Sequence, residues 1–198
     1  MIRTDHSSTL VRICEALEKG DLPTAGDILA TEYPFVPRKP SRKQFSHQDR
    51  LRIFLRDGFI DRYSGERLLF HPVFAIVHYH LPDQFPSHPN WKMSASHIAY
   101  WQLSPMVDHV QPVALGGAND DDNLVTTSGV HNAIKAQYTL EELRWKLHTA
   151  GDLNDWDGLT QWAVTYCENN PHLIDAHHPS GAIRPWHVAA IKALDTTQ

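Results

Sequence analysis

Cysteine is scarce. Cys14 and Cys167 stand far apart in a chain of 198 residues and form no C-x-x-C pair, so neither a disulfide framework nor a thiolate zinc site is signalled. Both are expected to be small buried side chains. Long apolar runs are missing as well. Stretches such as FAIVHY at Phe74 to Tyr79 are far too short to span a bilayer, and the opening MIRTDHSSTLVR has no signal-peptide core. No membrane partner is therefore expected, and a cytoplasmic location is the default. Internal repeats and low-complexity tracts are absent, and no helix-turn-helix or zinc-finger pattern supplies a module for reading a nucleic-acid sequence. What remains is ordinary for a globular protein: 41% hydrophobic and 21% charged residues argue against wholesale disorder. The length suits one core with elaborations.

Charge is sparse overall and unevenly placed. Against a net charge of -5, the segment from Arg38 to Arg67 carries nine basic residues and four acidic ones, a local +5 that leaves -10 on the rest. Such a run is most often a solvated helix face with a basic linker. The sharper reading is a footprint for a phosphate backbone, with Arg50, Arg52 and Arg56 on one helix as contacts.

The order of elements follows from local signals. SSTLVRICEALEKGD reads as an amphipathic helix with Ser8 as N-cap, and a short helical piece follows around Thr24 to Ala30. The chain is divided at 1–37 (helical), 38–47 (a basic, proline-rich connector), 48–147 (the main domain) and 148–198 (C-terminal helices packed on the core). Ser46 and Asp49 can form a capping box for a helix that stops at Gly58. RYSGERLLFHPVFAIVHYH is expected to form strands, and residues 81–96, with three prolines, a long loop held by Phe85 and Trp91. Farther on, Met106 to Val110 reads as a strand, Gln111 to Asp122 as a loop turning at Gly116-Gly117, Leu124 to Thr127 as a second strand, and Gly129 to Gln137 as a helix capped by Ser128. A helix starting at a Thr139/Glu142 capping box, with Leu140, Leu143 and Leu147 on its apolar face, comes next. Helices from about Leu159 and around Trp186 to Leu194 close the chain.

Within that section an acid and an imidazole, Asp108-His109, end a strand and are followed at fixed spacings by Asn123, Asn132 and Lys135. DHVQP, LGG, NLVTT and HNAIK together resemble the HNH endonuclease family and its ββα-metal motif. RDGFIDRYSGERL looks like the segment that opens many such domains, so the likeness covers about Leu51 to Leu147. It implies an α+β fold with an HNH core and helical elaborations at both ends. It also implies hydrolysis of DNA phosphodiesters, with His109 as the general base and Asn123 fixing the loop that orients it. Asp108 and Asn132 would hold one divalent cation, Mg²⁺ with Mn²⁺ as the alternative. Lys135, one turn beyond Asn132, would touch the phosphate backbone. His131 is a neighbour of lower weight.

The chain departs from the family at Asp61-Arg62-Tyr63-Ser64, where a first C-x-x-C pair would fall. No structural zinc is expected, and packing by Tyr63, Phe70, Trp91, Tyr100 and Trp101 is expected in its place. His78-x-His80, on an expected strand, reads as structural, and Asp120-Asp121-Asp122 as a solvated loop. Competing with the nuclease are a non-catalytic nucleic-acid-binding or protein-interaction module on the same scaffold, and a nuclease that depends on a partner protein for targeting.

Overall fold

In the computed structural model of the chain, residues 5–35, 44–179 and 181–195 are described. The basic residues Arg38, Lys39, Arg42 and Lys43 of the expected connector lie outside them. The chain divides into two compact units, 1–41 and 42–198.

The first unit is a pair of helices, α1 (Ser7–Glu18) and α2 (Leu22–Glu32). Ile13 and Ala16 of α1 pack on Ala25 and Ile28 of α2. Asp21 caps α2 by accepting the Thr24 N–H at 3.1 Å, and Pro23 stands in the first turn, where its missing N–H costs nothing. Ser8 is not the cap of α1. The helix starts one residue earlier, and the Asp5 carboxylate accepts the Ser7 N–H at 2.9 Å. Cys14 is exposed rather than buried, because Thr9, Ile13 and Ala16 form the inward stripe of α1.

The second unit begins with α3 (His47–Arg56), where Ser46 and Asp49 form the reciprocal capping box. The chain leaves the helix through Gly58, at a left-handed φ of +63°. The segment expected to be strands contributes only one isolated bridge, Ile60 to Arg67, and then α4 (His71–His80). Periodicity cannot separate a buried helix from a buried strand in so short an apolar run. Here Pro72 sits in the first turn, and Val73, Phe74, Ala75 and Ile76 are all buried, so the segment is enclosed nearly all round. Helix α5 (Ala99–Gln102) follows the long loop, with Phe85 and Trp91 packed around Phe74 and Tyr100.

Strands β1 (Pro105–His109) and β2 (Leu124–Ser128) pair antiparallel, with Pro105 opposite Ser128 and His109 opposite Leu124. Helix α6 (Gly129–Lys135) starts directly after β2, and the Ser128 hydroxyl caps it by accepting the His131 N–H at 3.2 Å. The Thr139/Glu142 capping box forms, but its helix, α7 (Leu140–Leu143), is a single turn. It ends at Arg144 in the left-handed region, so Leu147 is not on its face. Helices α8 (Thr160–Asn169), α9 (His172–Asp175) and α10 (Arg184–Asp195) complete the unit. Their buried residues Val164, Cys167, Leu173, Trp186 and Ala190 share one core with Leu51 and Phe54 of α3 and with Phe59 and Phe70. The C-terminal helices are therefore part of the same core as the strand-containing region. Among the described residues, no helix is long and apolar enough to cross a membrane.

A two-stranded sheet leaves backbone groups unpaired at its edges, and buried ones must find partners. The turn after α3 supplies them for β2. Asp57, fully buried, accepts the Thr126 N–H at 2.7 Å, while the Arg62 N–H donates to the Thr126 carbonyl at 2.9 Å. Asp61, also fully buried, accepts the Ser128 N–H at 2.9 Å and the Thr127 hydroxyl at 3.1 Å. Arg56 donates to the carbonyls of Leu124 and Asp121. The outer edge of β2 is thus closed by side chains from the 56–62 turn, which fixes the strand from which α6 departs.

Candidate active site

The β1–β2 connection turns at Gly116, with φ +87°. Gly117 is required for a different reason, because a Cβ there would sit 1.8 Å from the Gln111 carbonyl oxygen. Asn123 ties the loop together. Its side-chain oxygen accepts the Gln111 N–H at 2.7 Å, and its amide nitrogen donates to the carbonyls of Gln111 (3.1 Å) and Ala118 (2.8 Å). One side chain thereby crosses the loop between both of its limbs.

Within that loop Asn119 places its side-chain oxygen 2.8 Å from Nε2 of His109. When Nε2 carries the proton, it donates to Asn119 and Nδ1 keeps its lone pair, the tautomer a general base requires. The Phe45 ring lies 6.2 Å from the imidazole, centre to centre. Sequence reasoning missed Asn119. An asparagine near a Gly-Gly turn is common loop chemistry, and nothing in the spacing says that it reaches back ten residues.

Successive side chains on a strand point to opposite faces, and Asp108 accordingly turns away from His109. Its Oδ2 accepts from the Tyr63 hydroxyl at 2.7 Å and from Nζ of Lys135 at 3.0 Å. Lys135 is fully buried and also donates to the His109 carbonyl at 2.7 Å. Where the sequence suggested a contact with a phosphate backbone, the ammonium is an internal counter-ion tying α6 to the end of β1. Burial, then the charge of Asp108, pushes the Tyr63 hydroxyl far up, so that it remains a donor. Among the described residues, no hydrogen bond reaches Oδ1 of Asp108.

Asn132 faces Met106, two residues before Asp108 on the strand, with its amide nitrogen 3.5 Å from the Met106 sulfur. Its side-chain oxygen remains available. His131 is committed elsewhere: its Nδ1 is 2.8 Å from Asp61 and 3.0 Å from the Ser128 hydroxyl. Asp61 stands at the first position of the missing C-x-x-C pair, and here it clamps the turn, β2 and α6 by hydrogen bonds. Of the aromatic residues expected to replace the zinc knuckle, Tyr63 lies at this clamp. Phe70 belongs to the main core, and Trp91 and Tyr100 to the cluster around Phe74.

Burial alone raises a carboxyl pKa, but the N–H groups of Tyr63 and Ser128, the Ser128 hydroxyl and His131 outweigh it and hold Asp61 below its ordinary value. A depressed folded-state pKa gives stability that is present above the unfolded value, near 4, and lost as pH falls through the folded one. Asp61→Asn is therefore expected to be less stable than the parent by about 1–3 kcal/mol at neutral pH. The gap should narrow below about pH 4. Urea denaturation at a series of pH values measures it, and a gap independent of pH contradicts the assignment.

The arginines expected at DNA divide into two groups. Arg52 forms a two-pronged pair with Asp121, at 2.5 and 2.7 Å, and Arg56 is bound to Asp57 at 2.9 Å and to backbone carbonyls. Both are engaged within the chain, and Asp121, though exposed, is an ion-pair partner. Asp120 accepts the Asn123 N–H at 3.1 Å. Arg50 is exposed, and its side chain has no hydrogen bond or ion pair with any described residue. His78 and His80 lie on α4, not on a strand, and bond to the Phe85 carbonyl and the Tyr166 hydroxyl.

Among the described residues there is no group of three or more His, Cys, Asp and Glu side chains suited to a metal ion. Two of the expected ligands keep a side-chain oxygen without a hydrogen bond from any described residue, Oδ1 of Asp108 and the amide oxygen of Asn132. Such a set fits a hard cation that keeps several of its waters. Comparison with family models, curated proteins and solved structures finds no match to this chain.

Proposed function

We propose that residues 42–198 form a metal-dependent endonuclease of the HNH type, hydrolysing phosphodiester bonds in DNA. The observation that carries this reading is the strand-loop-strand-helix unit in which Asn119 holds His109 and Asn123 braces the surrounding loop. In this reading Nδ1 of His109 takes a proton from water, and the resulting hydroxide attacks phosphorus in line with the departing oxygen. Lys135 and Tyr63 hold Asp108, and Lys135 also anchors the backbone of His109, so base and carboxylate are fixed by one buried cation. Asp108 and Asn132 would hold Mg²⁺, with Mn²⁺ as the alternative, and that cation when bound neutralises charge developing on the phosphate and the leaving oxygen.

Supplied with Mg²⁺ or Mn²⁺, the purified protein is expected to cut plasmid, linear or single-stranded DNA, and chelation by EDTA is expected to stop it. If every DNA remains intact across a range of salt concentrations, the nuclease reading fails.

The pairing of Asp108 with Lys135 favours a second reading, a nucleic-acid-binding or protein-interaction module on the same scaffold, because it places a cation on the carboxylate that a metal would use. Under it, DNA binds without being cut by either the parent or Asp108→Ala. A nuclease that needs a targeting partner protein would instead gain activity when proteins that co-purify with it are restored.

A further inference from the structure

Alongside β1 lies a cavity of about 640 Å³, within the roughly 300–1,000 Å³ of small-molecule pockets. Its wall carries the indoles of Trp91, Trp101 and Trp186, and at the candidate active site it is bounded by Asn132, with Phe45 between it and His109. Trp91 and Trp101 meet edge to face, 6.0 Å apart, and the Trp101 indole N–H donates to the Trp91 carbonyl at 3.1 Å. Trp91 holds a left-handed φ of +49°. A bulky residue rarely adopts that conformation, which costs about 1–2 kcal/mol, and such strain clusters at ligand sites.

The electrostatics of the cavity are one-sided. Among the described residues that line it, Arg50 is the only Lys, Arg, Asp or Glu. Burial pushes His71 down to about 3, and burial and then Arg50 lower His47, so both lining histidines favour the neutral form. Arg52 and Arg56, on the same helix as Arg50, are paired with Asp121 and with Asp57, the latter shared with Arg62. Flat aromatic walls, one unneutralised guanidinium and no acid describe a receptor for a planar ring that carries an anionic group. Base-aromatic stacking beside a phosphate-binding cation is how unpaired nucleotides are held.

We propose that this cavity receives one unpaired nucleotide of the DNA substrate, with its base against the indoles of Trp91 and Trp101 and its phosphate at Arg50. A neighbouring phosphodiester is thereby presented to His109. The inference rests on the endonuclease reading and narrows its substrate to DNA with a single-stranded or extrahelical nucleotide, since a paired base cannot enter the cavity.

The test uses the full-length chain with His109→Ala, without metal, so that no turnover intervenes. Tryptophan fluorescence is titrated with a deoxynucleoside 5′-monophosphate. Quenching is expected, with binding at least tenfold tighter than for 2-deoxyribose 5-phosphate, which lacks the base, or for the deoxynucleoside, which lacks the phosphate. Adding Arg50→Ala is expected to weaken the monophosphate about tenfold without moving the melting temperature, because Arg50 is exposed and its side chain has no bond with a described residue. Trp91→Ala is expected to weaken it similarly. A single-stranded oligonucleotide should bind more tightly than a blunt duplex of the same length. Equal affinity for the sugar phosphate, or unchanged binding with Arg50→Ala, overturns the inference. Cleavage by the parent protein without nucleotide binding removes the cavity's role and leaves the nuclease reading standing. Nucleotide binding without cleavage does the reverse.

Discussion

His109→Ala is expected to slow DNA cleavage by about 10²- to 10⁴-fold, the range over which a positioned general base contributes, with the melting temperature nearly unchanged. The two halves of this expectation come from different features. The imidazole is only partly buried, and its one hydrogen bond among the described residues is to Asn119, itself on the loop. Removing it leaves the structural bonds at this end of β1 in place, because Lys135 grips the His109 carbonyl rather than its ring, and a carbonyl survives any substitution. Rates measured under single-turnover conditions alongside thermal melting separate the two. A variant that cuts as fast as the parent removes His109 from the chemistry. One that is inactive because it has melted would show it in the unfolding curve.

Lys135→Met is expected to act in the opposite way, through stability first. The ammonium is fully buried and bonded to Asp108 and to the His109 carbonyl. Methionine fills the space of the aliphatic stem but leaves a mostly buried carboxylate with only the Tyr63 hydroxyl. Breaking one side of a buried ion pair costs about 3–5 kcal/mol, which in a chain of this size lowers the melting temperature by about 10 °C. The double variant Lys135→Met with Asp108→Leu removes the stranded charge and should recover most of the loss, since replacing both members by apolar groups is often nearly neutral. A lysine on the surface at DNA gives the contrary pattern, with unchanged melting and weaker, less salt-dependent binding. These measurements therefore discriminate the tether from the phosphate contact that the x-x-K spacing suggests.

The contrast between the two residues shows where sequence reasoning reaches. Features built from neighbours within a few positions are readable because the partners are in the same window. Ser46 and Asp49 are three apart, as are Thr139 and Glu142, and both capping boxes form. The Gly-Gly turn and the two flanking strands come from short alternating or glycine-marked segments, and they stand within a residue or two of where the pattern puts them.

Two readings that depended on the surroundings failed. FAIVHY is as compatible with a strand as with a helix until the core that encloses α4 is known. The Thr139 box starts a helix without saying where it stops, and Arg144 ends it after one turn.

The arrangement of amino acids along the chain therefore determined the order Asp108, His109, Asn123, Asn132, Lys135 and the strand-loop-strand-helix on which they stand, because spacing and local hydrogen bonding are properties of a window. The tertiary structure decided what each side chain is bonded to. Lys135 is buried against a carboxylate 27 residues away, Asp61 binds His131 across 70 residues, and three tryptophans from separate segments wall one cavity. Partners at such distances are chosen by the burial of apolar surface elsewhere in the core, and once that burial removes water, each buried polar group must be answered by whatever the fold has brought beside it.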